Sequence, residues 1–577
     1  MQELNSPQLR VGHTPSPGGG HQIAQVIKKM VFPSLPFTLS FQFNHWDYLS
    51  ISKWVSDVYP QAESLFALYD AAQGVTQNTE NQALAYYARC ISVMSLLFFK
   101  QANSPVFEPP QVMSIRGQPI DGNMVDFVFH LTNTGVVAGQ LIKDVFSASI
   151  QMCTWLALQS AEGCEIKRSS LDYFQHLATT KLTGKNSNTP SAMKLLEGAH
   201  KASIPYCHLG KGVFRLGWGK NAVLFWASMA QTDSYCGMKL TGDKLCTAKL
   251  LSAAGVAVPV HKAVKSLPAA IQACKSLGFP VVIKPVDSER GEGVTVDLKD
   301  ELSLAVAFEK AMQFSKAKSV LVERQVKGVC HRLFMVNGRL LYAVKRWPPS
   351  VFGDGVSSLK QLVEANVQHE LSKLPFERYP LVPWDNETES FIREIGLTAD
   401  FVPVALQRIP LRRIESTLWG GFDEEVTSLV HPDILRQARI ACALVHMTVV
   451  GVDVITEDIS KPLSETGGVI NELNGGPSLG GAEISRSYIP EYLRRLVPHN
   501  GHIALQVFAE AELERAMQHF RQQIELGVQC YFVSDSLVID HEGHEIPGKQ
   551  ASLTERLRTL LFNPDVGALC IVSDSLK

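Results

Sequence analysis

The stretch PVVIKPVDSERGEGVTVDL, residues 280–298, decides the reading of this chain. PVVIK (280–284) is a short β-branched run and VTVDL (294–298) is another, so two strands flank a polar loop. Lys284 ends the first strand, where its ammonium can reach a phosphate. In the loop, Gly291 and Gly293 lack side chains, which lets backbone N–H groups approach phosphate oxygens. Alone, such a loop equally describes a plain hairpin turn, and a lone lysine is more simply a solvated surface charge.

The segments on either side sharpen the choice. Upstream, Lys244 opens a helix that runs to Ala254 and stops at Gly255, and Ser266 caps a second helix ending at Gly278. Downstream, Leu302 to Phe314 reads as a helix and SVLVE (319–323) as a strand. Arg332 to Arg346 reads as a hairpin turning at Asn337-Gly338, because both central positions of a type I′ turn require positive φ. After His431-Pro432 the helix ILRQARIACALVHM feeds the strand VDVIT, and VINELN forms a further strand. Asp453 lies on the first of these strands. Side-chain alternation puts Glu472 and Asn474 on one face of the second, so they can converge on one ion. Magnesium takes hard oxygen ligands, typically one or two carboxylates with phosphates and water. In isolation the same pattern fits the edge of a half-exposed strand. Carboxylate activation by ATP needs cations on the phosphates, a cover that excludes water, and carboxylates that hold magnesium. The chain supplies all three in order.

Composition is compatible with that chemistry. Of 577 residues, 45% are hydrophobic and 19% charged, which excludes a disordered, collagenous or coiled-coil protein and allows several domains. The formal charge of -2, with no basic run, argues against nucleic acid as a partner. Eleven cysteines are scattered without a CxxC pair, so reduced thiols are expected rather than zinc or a disulfide framework. The longest apolar run, Ile91 to Phe99, is too short to span a membrane. With no leader pattern at the N-terminus, a cytoplasmic protein is expected.

Taken in order, Lys244, VVIKP, the glycine-bearing loop, VERQVKGVCHR, GVDVITEDISKPL and NELNGGP resemble the ATP-grasp ligases, and among them the cyanophycin synthetases. The resemblance extends to IPYCHLGKGVFRLGWGK upstream and GDGVSSLKQLVEANVQ after the hairpin. It implies that ATP and Mg2+ are bound. Lys244 and Lys284 match the nucleotide-phosphate lysines, and Ser288 to Gly293, including Gly291, match the loop over the phosphates. Glu323 matches a carboxylate at the adenine end, the backbone at Gln325 and Val326 an adenine-contacting strip, and His331 a ribose contact. Arg412 matches an arginine beside the acyl phosphate, with Arg332 and Arg346 on the adjoining hairpin. Asp453, Glu472 and Asn474 match the magnesium ligands. The implied activity joins an amino-acid or peptide carboxylate to an amine through an acyl phosphate. An ATP-grasp kinase and a non-catalytic assembly subunit are the alternatives.

The chain also departs from that pattern. Where the second, Mur-ligase-like half of cyanophycin synthetases has a glycine-rich P-loop with Lys-Thr, this sequence reads VFAEAELER, whose Glu510, Glu512 and Glu514 repel phosphate. A nucleotide-dead remnant is expected, with Leu513, Met517, Phe520 and Ile524 on one apolar helix face. The segment NGGPSLGGAEIS replaces the family's loop after the magnesium residues, so the product is expected to differ. The fold expectation is therefore an α/β (α+β) multidomain chain. It comprises a flexible tail (1–20), an N-terminal α/β domain (21–165), a linker and start of the ATP-grasp core (166–240), an ATP-grasp domain (241–500, with a lid at about 265–345) and a degenerate Mur-ligase-like remnant (501–577). Small-molecule amino acids or peptides are the expected partners, in a homo-oligomer, a dimer or tetramer. LTGKNS (182–187) lacks the glycine and the Ser or Thr of a P-loop. DHEGHE (540–545) reads as a polar turn rather than a metal site, and GKGVFRLGWGK (210–220) lacks the flanking signals of a dinucleotide site.

Overall fold

The computed structural model describes residues 8–11, 34–42, 48–73, 82–116, 124–132, 137, 139–161, 165–182, 189–287, 292–380, 382–413, 415, 420–547 and 552–574. Ser288, Gly291 and most of LTGKNS lie outside them. The chain forms two compact units, one of Met1–Trp226, Leu374–Phe376 and Leu493–Lys577, the other of Ala227–Lys373 and Glu377–Tyr492.

In the first unit a four-stranded antiparallel sheet runs in the order Gln8–Val11, Ser34–Gln42, Met124–Thr132, Gln111–Arg116. Residues 8–11 are thus a strand rather than tail. The open edge of Ser34–Gln42 offers a ladder of N–H and C=O groups that four extended residues can take up. The apolar run Ile91–Phe99 is the buried heart of helix Gln82–Gln101. It packs with Phe127, Phe129 and Phe146 in one core, and Phe98 stacks on Phe174 at 4.5 Å. No helix among the described residues is long and apolar enough to cross a membrane.

Toward the C-terminus, Ala504–Phe508, Ala568–Val572 and Cys530–Ser534 lie parallel, with Val538–Ile539 antiparallel at the edge. Helix Leu513–Glu525 buries Ala516 and Phe520 and packs Met517 and Ile524. Leu513, expected on that face, is 49% exposed, and Ala516, three residues on, takes the inner position at the start of the helix.

The second unit contains two antiparallel sheets that carry the motifs. In the first the order is Thr295–Leu298, Val281–Pro285, Val320–Arg324, His261–Val264. Val281, Ile283, Val320 and Val322 point into a core closed by helices Leu267–Leu277 and Glu301–Phe314. Period-two alternation then turns Lys284 and Glu323 to the other face. Asp300 caps the second helix by accepting from Ser303 N at 2.7 Å. Ser266 sits at the N-cap of the first without a side-chain bond, so Pro268 in the first turn, with φ already helical, fixes that start instead.

The larger sheet runs Phe422–Glu425, Arg339–Trp347, Val329–Val336, Val449–Thr456, Val469–Gly475. Its hairpin turns at Asn337 and Gly338, both at positive φ. Leu333, Met335, Val450, Val452, Val454, Ile470 and Leu473 pack on helix Pro432–Leu444 and on Leu251 of helix Lys244–Ala253. Gly328 joins the two sheets' strands with φ +116°, where a Cβ would lie 2.1 Å from the Thr456 carbonyl carbon. Only glycine fits there.

Candidate active site

The alternate residues of the larger sheet form one charged face. Opposed residues of antiparallel strands share a face, and the register aligns Asp423 with Arg346, Arg332 with Val344, Arg332 with Asp453, and Asp453 with Glu472. From edge to edge the face reads acid, arginine, arginine, acid, acid. Arg332 donates from Nε to Asp453 Oδ1 and from a terminal nitrogen to Oδ2 at 2.9 Å. Gly451 makes room for it, since a Cβ there would meet the Arg332 guanidinium at 3.0 Å. Asn474 Nδ2 adds a bond to Asp453 Oδ2 at 3.2 Å. Burial pushes the Asp453 carboxyl up, but Arg332, Arg346 and Asn474 outweigh it and hold it below the usual range.

Lys244 Nζ lies 3.6 Å from Glu472 Oε1. Asp243 holds the lysine's helix start by accepting from Cys246 N at 2.9 Å. Thr241, Lys244, Thr247 and Glu472 line one small pocket. On the other sheet, Lys284 Nζ and Glu323 Oε2 pair at 2.8 Å, each side chain 9% exposed. Expected at opposite ends of a nucleotide, these two residues are in direct contact. The base of the loop after Lys284 is pinned by Asp287, which accepts from Ser315 Oγ at 3.0 Å and Ala317 N at 2.7 Å.

Residues 243–335 match a family model described as carbamoyl-phosphate synthase L chain, ATP binding domain. That span includes the whole first sheet and runs into the charged face of the second. The chain has an ATP-grasp fold. It is similar to a cyanophycin synthetase of Geminocystis herdmanii, 27% identical over 340 residues that make up 57% of this chain and 37% of the relative. It is also similar to the glutathione biosynthesis bifunctional protein GshAB of Mannheimia succiniciproducens, 32% identical over 244 residues, 41% of this chain and 31% of the relative. The chain therefore spans about a third of the length of these curated relatives. A bifunctional glutathione synthetase from Pasteurella multocida aligns over 82% of this chain and 83% of its own at 17% identity, with a TM-score of 0.42, too low to carry an argument.

Within this ATP-grasp fold the surroundings of Arg412, Gly293, His331 and Val326 are as follows. Arg412 is tied to the start of helix Asn386–Glu394. It donates to Asp385 Oδ1 and Oδ2 at 2.9 and 2.8 Å, to Thr388 Oγ1, and to the Leu411 carbonyl at 3.0 Å. The arginines that Asp453 senses are Arg332 and Arg346. Gly293 is buried, and a Cβ there would meet Pro285 Cγ at 2.9 Å and Phe314 at 3.1 Å, so close packing already demands the glycine. His331 alternates onto the face away from Arg332, is 2% exposed, and has its Nδ1 3.0 Å from the Val329 carbonyl oxygen. In that place it presents almost no surface to a ligand. Near Val326, the Gln325 N–H is already given to the Pro280 carbonyl at 3.1 Å. Asp423 and Glu415 were not singled out from sequence. Only the strand pairing Arg346↔Asp423 could have drawn attention to the first, and Glu415 lies three residues after Arg412, in a segment singled out for its arginine alone.

Burial and then Lys345 lower the His331 pKa from 6.5 to about 4. A histidine that stays neutral when folded favours unfolding once the unfolded chain takes up its proton. Stability should therefore fall as pH drops from about 6.5 to about 4, and His331→Phe should flatten that slope in melting curves. An identical slope in the variant would remove His331 as its source.

Proposed function

We propose that this chain is an ATP-dependent carboxylate–amine ligase that activates an amino-acid or peptide carboxylate as an acyl phosphate and joins it to an amine. The observation that carries the reading is the charged face on which Arg332, Asp453, Asn474 and Glu472 are aligned, with Lys244 against Glu472. Two carboxylates and an amide oxygen are a hard donor set, and only part of each oxygen's capacity is used by Arg332 and Asn474, so the residues fit Mg2+. When bound, the ion would neutralise charge on ATP phosphate oxygens. Lys244 and Lys284 supply fixed cations for the same phosphates, and the paired Glu323 orients Lys284. The names of the relatives, a cyanophycin synthetase and a glutathione biosynthesis protein, support bond formation between amino acids or peptides.

The C-terminal sheet is, in this reading, a Mur-ligase-like remnant without nucleotide binding. Between Phe508 and helix Leu513–Glu525 the turn is closed by its own acids: Ala509 N donates to Glu512 Oε2 at 3.1 Å and Glu510 N to Asp574 Oδ1 at 3.1 Å. Those N–H groups are the ones a phosphate would need. In DHEGHE, Asp540 Oδ1 accepts from Glu542 N and His544 N, both at 2.9 Å, as a polar turn does. The remodelled segment after Asn474 points to a product other than cyanophycin.

The test is to incubate the protein with ATP, Mg2+ and pools of amino acids and dipeptides, reading phosphate release and product mass. Phosphate release that no amine stimulates would count against a ligase. Glu472→Ala should lower turnover by about 100-fold or more while leaving the melting temperature nearly unchanged, because Glu472 is part-exposed and its ion pair with Lys244 is loose, at 3.6 Å. Full activity in that variant would remove Glu472 from the ion site.

A further inference from the structure

Arg346 and Asp423 face each other across the strands Arg339–Trp347 and Phe422–Glu425, and each leaves an atom over. Arg346 Nε and Asp423 Oδ1 are buried with no hydrogen-bond partner. Buried polar atoms in folded proteins are almost always bonded, so two orphans of opposite character on opposed residues need a reason. The next arginine on the same face, Arg332, has no such surplus, since Asp453 takes its Nε and one terminal nitrogen. Both Arg346 and Asp423 are half-buried as residues, so part of each side chain already reaches the surface. Tyr342 lies on the same face two positions before Val344, and its ring stacks on Tyr488 at 5.1 Å, giving the pair an aromatic wall. Glu415 adds a second half-buried carboxylate that feels Arg346. Burial pushes both Glu415 and Asp423 up, with Arg346 pulling each part of the way back.

We propose that Arg346 and Asp423 form a bipolar clamp for the incoming amine, one that carries a carboxylate beside its ammonium group. The carboxylate accepts the Arg346 Nε–H, the ammonium donates to Asp423 Oδ1, and the clamp rests on the ligase reading above. Charge-assisted bonds at both ends select for a molecule with both groups, because an acceptor lacking one leaves a buried charged atom unpaired. The clamp stands on the row that leads through Arg332 to Asp453, so it would set the amine at one end of the face and the ion-binding residues at the other.

The experiment has three arms with ATP, Mg2+ and a dipeptide pool as carboxyl donors. Hydroxylamine traps activated carboxyl groups as hydroxamates and establishes activation. L-amino acids are then compared with their amides as acceptors, with products read by mass. Finally, Asp423→Asn is titrated with the amino acids, and its folding is checked by thermal melting. The expected result is hydroxamate formation, half-saturation by amino acids about 10-fold or more below that of the amides, and a rise of similar size in Asp423→Asn. Hydroxamates with amides serving as well as amino acids would overturn the clamp alone, whether or not the variant folds. An unchanged half-saturating concentration in folded Asp423→Asn would do the same. No hydroxamate from any pool would overturn the ligase reading and the clamp with it.

Discussion

Asp453→Ala is expected to destabilise the protein as well as stop turnover. Asp453 is 6% exposed and holds the Arg332 guanidinium through both carboxylate oxygens. Removing it strands a buried cation, which typically costs about 3–5 kcal/mol and lowers the melting temperature by on the order of 10 °C. Asp453→Ala with Arg332→Leu removes both charges, so much of the stability should return while turnover stays lost. Thermal melting and phosphate release measure the two effects separately. Because the folded carboxyl is held below its ordinary 3.8, the stabilisation is complete above that value and fades as pH falls through the folded pKa. The gap between wild type and single variant should therefore persist at neutral pH and narrow only in acid. A single variant that melts like wild type at neutral pH would mean that the pair contributes nothing to the fold.

Why these residues were legible in the sequence, and others not, follows from the range over which their signals act. GVDVIT and VINELN carry alternation, a local property, and the strands Val449–Thr456 and Val469–Gly475 form where it occurs. Asn337-Gly338 needs positive φ at both positions, a requirement two residues can state by themselves, and the hairpin turns there. PVVIK and SVLVE are likewise strands within a residue of their expected ends. Contacts between strands are another matter. Nothing in Lys284 or Glu323 announces that they touch, because that depends on which strands become neighbours and in what register. Arg412 is a similar case: its segment singles it out, but nothing local announces that Asp385, at a helix N-cap 27 positions earlier, bonds it. Arg332 stood in the sequence beside His331 with equal claim, and one step of β alternation turns the first to the charged face and the second away from it.

The second large effect is expected at Lys284. With each side chain 9% exposed, Lys284 and Glu323 form a buried pair at 2.8 Å on the face of the first sheet that does not pack against its helices. In Lys284→Met the Glu323 carboxylate loses its cation and remains buried, which is expected to cost about 3–5 kcal/mol and to weaken ATP binding by removing a phosphate cation. Glu323→Leu alone should destabilise similarly by leaving the ammonium unpaired. The double variant separates structure from function. Two apolar side chains of similar length can fill the same volume, so its melting temperature should approach that of wild type, whereas ATP binding measured by titration calorimetry should stay as weak as in Lys284→Met. If ATP bound the double variant as tightly as wild type, Lys284 would be a structural cation only, and phosphate binding would fall to Lys244. If stability failed to return, the sheet would need the pair's directional bond, and the face carrying it would be a fixed element rather than one free to adjust around a nucleotide.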